Sequence, residues 1–331
     1  KPEWRDWLQS IGSQEITLEG IQGLLESCKV DGPESGQDEV QFMADLRLAR
    51  QQLMLWLIYR DLNGLASLDE LTHSLSHFAQ LAIANCIAFI RVDLEGRFGL
   101  PWSQTTDSEM PLMVVGMGKL GGFELNLSSD IDLIFLYEHE GETQGGPKTL
   151  SHHEWFTRMG KRLIKLLSEH DANGFVFRVD MRLRPNGDSG PLVCSLDMLE
   201  EYLLVQGREW ERYAWIKGRL IAPLPGSLQY QDYEKVLEQL IRPFVYRRYL
   251  DYGVIASIRD LHAQIQHEAE KRSANHQGRS HDIKLGRGGI REIEFLAQMF
   301  QLMRGGTDPR FSGYPRNVLF GRPEESGTMD L

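Results

Sequence analysis

The sequence predicts an α+β fold, a small mixed β-sheet with helices flanked by largely helical N- and C-terminal regions. Three observations predict it. Apolar residues recur at helical spacing from Trp4 to about Gly99 and again after Leu196. Two short apolar runs, Pro111–Val115 and Asp132–Tyr137, read as strands with a glycine-rich turn between them. Phe175–Arg184 alternates, with Phe175, Phe177, Val179, Met181 and Leu183 on one face and Arg178, Asp180, Arg182 and Arg184 on the other, the mark of a strand with one face in a core.

Taken in order, residues 1–105 form a helical N-terminal region. Its clearest stretches are Val40–Ile58 and Leu68–Leu94, whose apolar positions follow the 3.6-residue period. Ser103–Glu109, just after Pro101, reads as a linker. Residues 106–195 carry the sheet, with a helix over His153–Leu167 between the second and third strands. Residues 196–305 return to helical spacing from Leu196 to Ile221 and from Tyr233 to Lys271, broken by Pro223 and Pro225. A last helix runs over Gly289–Met303, and the region is expected to complete the cleft above the sheet. Residues 306–331 are irregular and rich in Gly and Pro, and the chain starts at Lys1 rather than Met, so a piece of a longer protein is expected.

Composition narrows the function. Hydrophobic residues at 41% and charged ones at 25% are enough for a sizeable core in a chain of 331 residues. The formal charge of −11 argues against a broad nucleic-acid surface, which leaves a basic footprint. The longest unbroken apolar runs, such as Leu112–Val115 and Ile131–Tyr137, are far short of the roughly 20 residues of a membrane helix. Cys28, Cys86 and Cys194 are odd in number, far apart and outside any CxxC, the pattern of a reduced chain. A soluble cytoplasmic protein is expected.

Gly116-Met-Gly118-Lys119-Leu-Gly121 has the spacing of a dinucleotide-binding turn, and Glu138 stands where a ribose-binding acid would be. The geometry opposes that reading. A parallel crossover needs about a dozen residues, whereas Phe123–Ser129 is short and ends in turn formers. Gly116, Gly118, Gly121 and Gly122 are better read as bringing backbone N–H groups to a nucleotide phosphate, with Lys119 and Ser129 beside it. A tight turn with no ligand is the plain alternative.

Residues i and i+2 share a face of a strand, so Asp130 and Asp132 are expected to present their carboxylates to one divalent cation, with Asp180 as a third ligand from the neighbouring strand. Mg2+ takes such oxygen ligands, and metal-assisted nucleotidyl transfer uses it to neutralise charge on attacking and leaving oxygens. A lone D-x-D is as often a solvated strand end; the turn, the strand and the arginines around Asp180 raise the odds together. Arg182 and Arg184 lie on the polar face of Asp180, placed for phosphate oxygens or for ion pairs with the aspartates. His152 and His153 are adjacent, not at ligand spacing, and read as a solvated helix start. Arg242, Arg247 and Arg248 read as a solvated helix face rather than a docking surface.

Val115–Phe135 as a whole resembles the signature of the bifunctional glutamine synthetase adenylyltransferase/adenylyl-removing enzyme family, joined by Val179–Pro185, Gly207–Tyr213 and Ile283–Phe295. The resemblance covers roughly residues 40 to 305 and implies a nucleotidyltransferase fold. Arg208–Tyr213 and Gly289–Phe295 look like the N-terminal, adenylyl-removing half. That half implies Mg-dependent phosphorolysis of AMP from a tyrosine of glutamine synthetase, giving ADP, with Asp130, Asp132 and Asp180 as catalytic metal ligands. Arg182, Arg184 and Lys284 are then expected to hold the attacking phosphate. The partners implied are glutamine synthetase, phosphate, ADP or AMP and, for the full-length enzyme, the PII signalling protein. The competing expectations are ATP-dependent adenylylation by the same fold and a non-catalytic nucleotide-binding regulatory module.

Overall fold

A computed structural model describes residues 2–28, 38–227, 229–246, 289–306 and 308 of the chain. In order these form helices α1 (Pro2–Ile11), α2 (Leu18–Leu24), α3 (Glu39–Leu62) and α4 (Leu68–Phe98), then strands β1 (Gly99–Leu100), β2 (Trp102–Ser103), β3 (Ser108–Glu109) and β4 (Met113–Met117). The one-turn helix α5 (Gly118–Gly121), β5 (Ile131–Tyr137), β6 (Gln144–Gly145), α6 (His152–Ser168), β7 (Val179–Asp180) and β8 (Val193–Ser195) follow. The chain continues with α7 (Leu196–Val205), α8 (Glu209–Trp215), β9 (Arg219–Ala222), α9 (Tyr230–Val245) and α10 (Ile290–Arg304). This is an α+β protein divided into two compact units, Lys1–Glu201 with Gly218–Lys235, and Tyr202–Lys217 with Val236–Leu331.

The first unit holds the main sheet, in the order β7-β5-β4-β9, with β8 also beside β5. Strand β4 runs antiparallel to both β5 and β9, whereas β7 and β8 run parallel to β5. Of the seven residues of β5 only Asp132 is not buried, so a single polar side chain interrupts a strand that is otherwise all core. The antiparallel β4–β5 pair, joined through the single turn of α5 rather than a crossover helix, removes the dinucleotide-fold alternative.

Helix α4 begins at Ser67, whose hydroxyl accepts from the Glu70 N–H at 3.1 Å. It buries Leu75, Phe78, Ala79, Ala82, Ile83, Cys86 and Ile90, a stripe at i+3/i+4 spacing. By length and composition α4 could cross a membrane, which a search for unbroken apolar runs does not register; here its apolar stripe belongs to the core. Helix α6 is capped in the same way, Ser151 accepting from Glu154 N–H at 3.1 Å. It packs on β5 at Gly160, where a Cβ would stand 2.9 Å from the Phe135 ring.

Two buried arginines tie the helices together. Arg60 donates to both oxygens of Glu70 (2.6 and 3.0 Å) and to the Ser13 and Leu65 carbonyls, both at 2.8 Å. Arg47 bonds the carbonyls of Met43 (2.8 Å), Gly174 (2.9 Å) and Glu169, which joins α3 to the loop after α6.

Several expectations need correction. Only Val179–Asp180 of the segment 175–184 is a strand. The N–H groups of Val176 and Phe177 both bond the Leu167 carbonyl at 3.0 Å, anchoring this stretch to the end of α6, and the chain turns after Asp180, with Arg184 N–H on the Met181 carbonyl at 3.2 Å. The helical reading of Leu196–Ile221 fails at its end, because Arg219–Ala222 pairs with β4. Ser103–Glu109 is a hairpin of β2 and β3 rather than a linker. The Ser103 hydroxyl is buried and donates to Glu138, which also accepts from the Tyr233 phenol at 2.9 Å. His152 is not solvated but buried, its ring nitrogens 2.9 and 3.1 Å from the carbonyls of His139 and Glu142.

In the second unit, Glu211 is buried, accepting from the Tyr202 phenol (2.5 Å) and the Arg208 N–H (2.9 Å). Arg212 lies over the Phe244 ring at 5.4 Å. Tyr213 packs beside Phe295, and Lys217 is ion-paired with Glu294. The segments Arg208–Tyr213 and Gly289–Phe295, distant in sequence, therefore meet within one unit. Arg242 pairs with Glu238 on the exposed face of α9, whereas Arg247 and Arg248 lie outside the described residues.

Candidate functional site

The candidate site is built where the start of β5 meets β4 and β7. Met117 on β4 and Asp180 on β7 both stand in register with Asp132. The chain leaves β4 through Gly118, whose φ of +55° places it in the left-handed region and whose absent Cβ would stand 3.2 Å from Asp132 Oδ2. Glycine is required there by conformation and by the carboxylate together. Gly116 is required for packing, since a Cβ would meet the Leu120 side chain at 2.9 Å. Gly121 and Gly122 close α5, with Gly122 N–H on the Gly118 carbonyl at 3.1 Å.

Asp130 lies one residue before β5 and is exposed, so its position is fixed by the loop rather than by strand parity. That loop is well tied down. The Asn126 carboxamide accepts from Ser129 Oγ at 2.8 Å and from Ser128 N–H at 3.2 Å, Arg178 donates to the Ser128 carbonyl at 2.8 Å, and Ile131 N–H bonds the Arg178 carbonyl at 2.9 Å. Lys119 reaches Ser129 Oγ at 3.4 Å.

The electrostatics of the aspartates differ. Burial, then Asp180 and Asp130, push the Asp132 carboxyl up to about 6, against opposing effects of Arg182 and Lys119. The Asp180 carboxyl is held below its usual range by Arg182, whose backbone N–H (2.9 Å), Nε (2.9 and 3.0 Å) and Nη2 (2.5 Å) all donate to it. Arg182 itself is exposed. Arg184 is mostly covered, donating to the Met181 carbonyl at 2.7 Å and standing 3.5 Å from Asp188, so it serves its own turn. Lys284 lies outside the described residues.

Carboxylates crowded around a half-buried Asp132 are the donor chemistry of a hard divalent cation. Among the described residues no three such groups already stand at ligand spacing. With Arg182 bound to Asp180, a cation would have to displace a guanidinium that is exposed and able to move. The donor set fits, and Arg182 sets its resting state.

Sequence reasoning missed two residues beside the turn. Arg219 on β9 donates to the Gly121 and Leu120 carbonyls at 3.1 and 3.3 Å, and its guanidinium stands 3.8 Å from the centre of the Phe123 ring. Phe123 has a φ of +53°, uncommon for a bulky residue. The only sequence signal was an aromatic residue directly after a glycine pair in a short connector.

A glycine turn and a carboxylate-bearing strand on a small mixed sheet are features of a nucleotidyltransferase-like fold. The family model described as glutamate-ammonia ligase adenylyltransferase matches residues 22–234, and the chain belongs to that family. A second family model, GlnD PII-uridylyltransferase, matches residues 259–318. The chain is 60% identical over 274 residues to a bifunctional glutamine synthetase adenylyltransferase/adenylyl-removing enzyme from Ralstonia nicotianae, an alignment covering 80% of this chain and 29% of that protein. It is 48% identical to the protein so named from Burkholderia mallei, over 99% of this chain and 35% of the relative. The chain therefore spans about a third of the length of the curated relatives it matches.

Proposed function

We propose that this chain is the adenylyl-removing part of such an enzyme, transferring the AMP group from an adenylylated tyrosine of glutamine synthetase to phosphate and so releasing ADP, in the cytoplasm. The observation that carries the reading is the register pair Asp132–Asp180 beside the glycine turn, a half-buried carboxylate crowded by two others. Asp130, Asp132 and Asp180 would hold Mg2+, which when bound neutralises negative charge on the phosphoryl oxygens.

An oxygen of hydrogen phosphate attacks the α-phosphorus of the tyrosyl-AMP linkage, and the bond from phosphorus to the tyrosine oxygen breaks. The proton carried by hydrogen phosphate ends on the tyrosine, leaving ADP and the free phenol. A phenol with a pKa of about 10 is a fair leaving group, so positioning and charge neutralisation suffice. Arg182, exposed and bound to Asp180 of its own turn, exchanges that carboxylate for a phosphate oxygen. Gly118 leaves room for the nucleotide against Asp132, with Lys119 and Ser129 at its edge. Arg184, engaged with Met181 and Asp188, is left out of the phosphate set, Lys284 is proposed to hold phosphate with Arg182, and the PII protein is proposed as a partner of the longer enzyme.

Adenylylated glutamine synthetase incubated with the chain, Mg2+ and phosphate should release ADP; folded protein that yields none overturns the reading. The matched family's name favours a second reading, ATP-dependent adenylylation. Transfer of label from α-labelled ATP to unmodified glutamine synthetase would establish that one instead.

A further inference from the structure

We infer that Phe123, clamped by Arg219 and helix α4, is a positioning device that sets the glycine turn of the nucleotide site, an inference that rests on the function proposed above. Phe123 immediately follows the turn and adopts a left-handed backbone conformation, which is strained for a bulky residue. Such strain persists only where the surroundings hold it, and here they do. The Arg219 guanidinium is 3.8 Å from the ring centre, and the His73 and His77 rings of α4 each lie 5.3 Å from it, His73 nearly parallel.

The same guanidinium bonds the carbonyls of Leu120 and Gly121, and it reaches Gln80 on α4 at 3.3 Å. Arg219 also stands opposite Gly116 in the β4–β9 ladder. One residue thus touches both ends of the Gly116–Gly122 turn, its backbone beside Gly116 and its side chain on Leu120 and Gly121, and the side chain ties the far end to α4. The turn in turn fixes Gly118 against Asp132. Burial, then His73 and Arg219, hold the His77 ring below its usual range, in keeping with a neutral stacking partner beside a cation. With ring and guanidinium both engaged, neither is a base-stacking platform; their effect on the nucleotide runs through the turn.

The test separates positioning from simple packing. Asn tolerates a left-handed φ but lacks the ring, so Phe123→Asn should relieve backbone strain while freeing the turn. ADP binding to the chain in the presence of Mg2+, measured by calorimetry, should weaken about tenfold, as expected for a misplaced binding loop. The unfolding midpoint should not fall. Phe123→Tyr should restore wild-type binding. Arg219→Lys keeps the charge but not the planar fork, and it should weaken ADP binding several-fold. Unchanged ADP affinity in both Phe123→Asn and Arg219→Lys overturns the inference while leaving the proposed function standing. Wild-type protein that binds no ADP overturns that function and the positioning role with it. Should Phe123→Asn fail to fold, Arg219→Lys and Phe123→Tyr decide the matter alone.

Discussion

Two arginine–carboxylate pairs in the first unit are chemically alike and physically opposite. Arg60 and Glu70 lie inside the helical layer, with the guanidinium shared among Glu70, Ser13 and Leu65, and Glu70 also accepting the Ile16 N–H at 3.1 Å. Arg182 and Asp180 lie at the mouth of the candidate site, where the arginine is exposed and beside a second carboxylate, Asp132, crowded enough to be pushed up to about 6. The first pair is saturated, so neither partner can leave without exposing a buried charge. The second is bound yet exchangeable, and it neighbours Asp132, whose charge burial and two carboxylates disfavour more than Arg182 and Lys119 offset. Saturation marks structure here, and crowded carboxylates mark the site proposed for the cation.

Removing the Asp132 charge should have the largest effect. Asp132→Asn is expected to lower ADP release from adenylylated glutamine synthetase by about 10³-fold or more. It should also stabilise the metal-free protein. The sign follows from the raised carboxyl: as pH rises from the unfolded value of 3.8 through about 6, the unfolded chain ionises first, so stability is lost across that window. Discounted for partial exposure, this amounts to about 2 kcal/mol at pH 7. In chelator at pH 7 the Asn variant should therefore melt above the wild type, and the gap should close near pH 4. A variant that melts lower at pH 7 would remove the contrast between the two pairs.

Breaking the saturated pair should come next. Arg60→Met leaves the mostly buried Glu70 without its guanidinium, and removal of one partner of a buried pair costs about 3 kcal/mol. Urea unfolding at pH 7 measures it. A loss well under 1 kcal/mol would mean that the helical layer is held by its apolar stripes alone.

How much of this was legible in the sequence depends on the range of the forces involved. The strand at Ile131–Tyr137 and the glycine turn before it were readable because periodicity and backbone conformation are local. The strand Arg219–Ala222 was not. It is four residues long, abuts a helical stretch, and owes its conformation to pairing with β4, more than a hundred residues earlier. Alternation over Phe175–Arg184 misled for the opposite reason, since the pattern was present but the Leu167 carbonyl and the turn at Met181 took up the backbone. Asp132 and Asp180 were readable as a pair by residue type. That Asp180 rests on Arg182 while Arg184 turns away was not, because it depends on where two guanidinium groups find acceptors after the strand has ended.

The pair at the mouth of the site, whose arginine is exposed, should give the smallest effect, and its pattern sharpens the comparison. Arg182→Gln removes an exposed charge, so the unfolding midpoint should not move measurably, unlike that of Arg60→Met. Function should respond in two directions. Asp180 loses the guanidinium that competes with a cation, so Mg2+ binding, followed by titration calorimetry, should tighten a few-fold. The attacking phosphate loses a donor, so the KM for phosphate in ADP release should rise. A purely structural ion pair would show neither change, and a guanidinium engaged only by the phosphate would raise KM without altering the Mg2+ titration. Opposite shifts at an unchanged midpoint would show that Arg182 holds Asp180 in reserve and gives it up when the site fills.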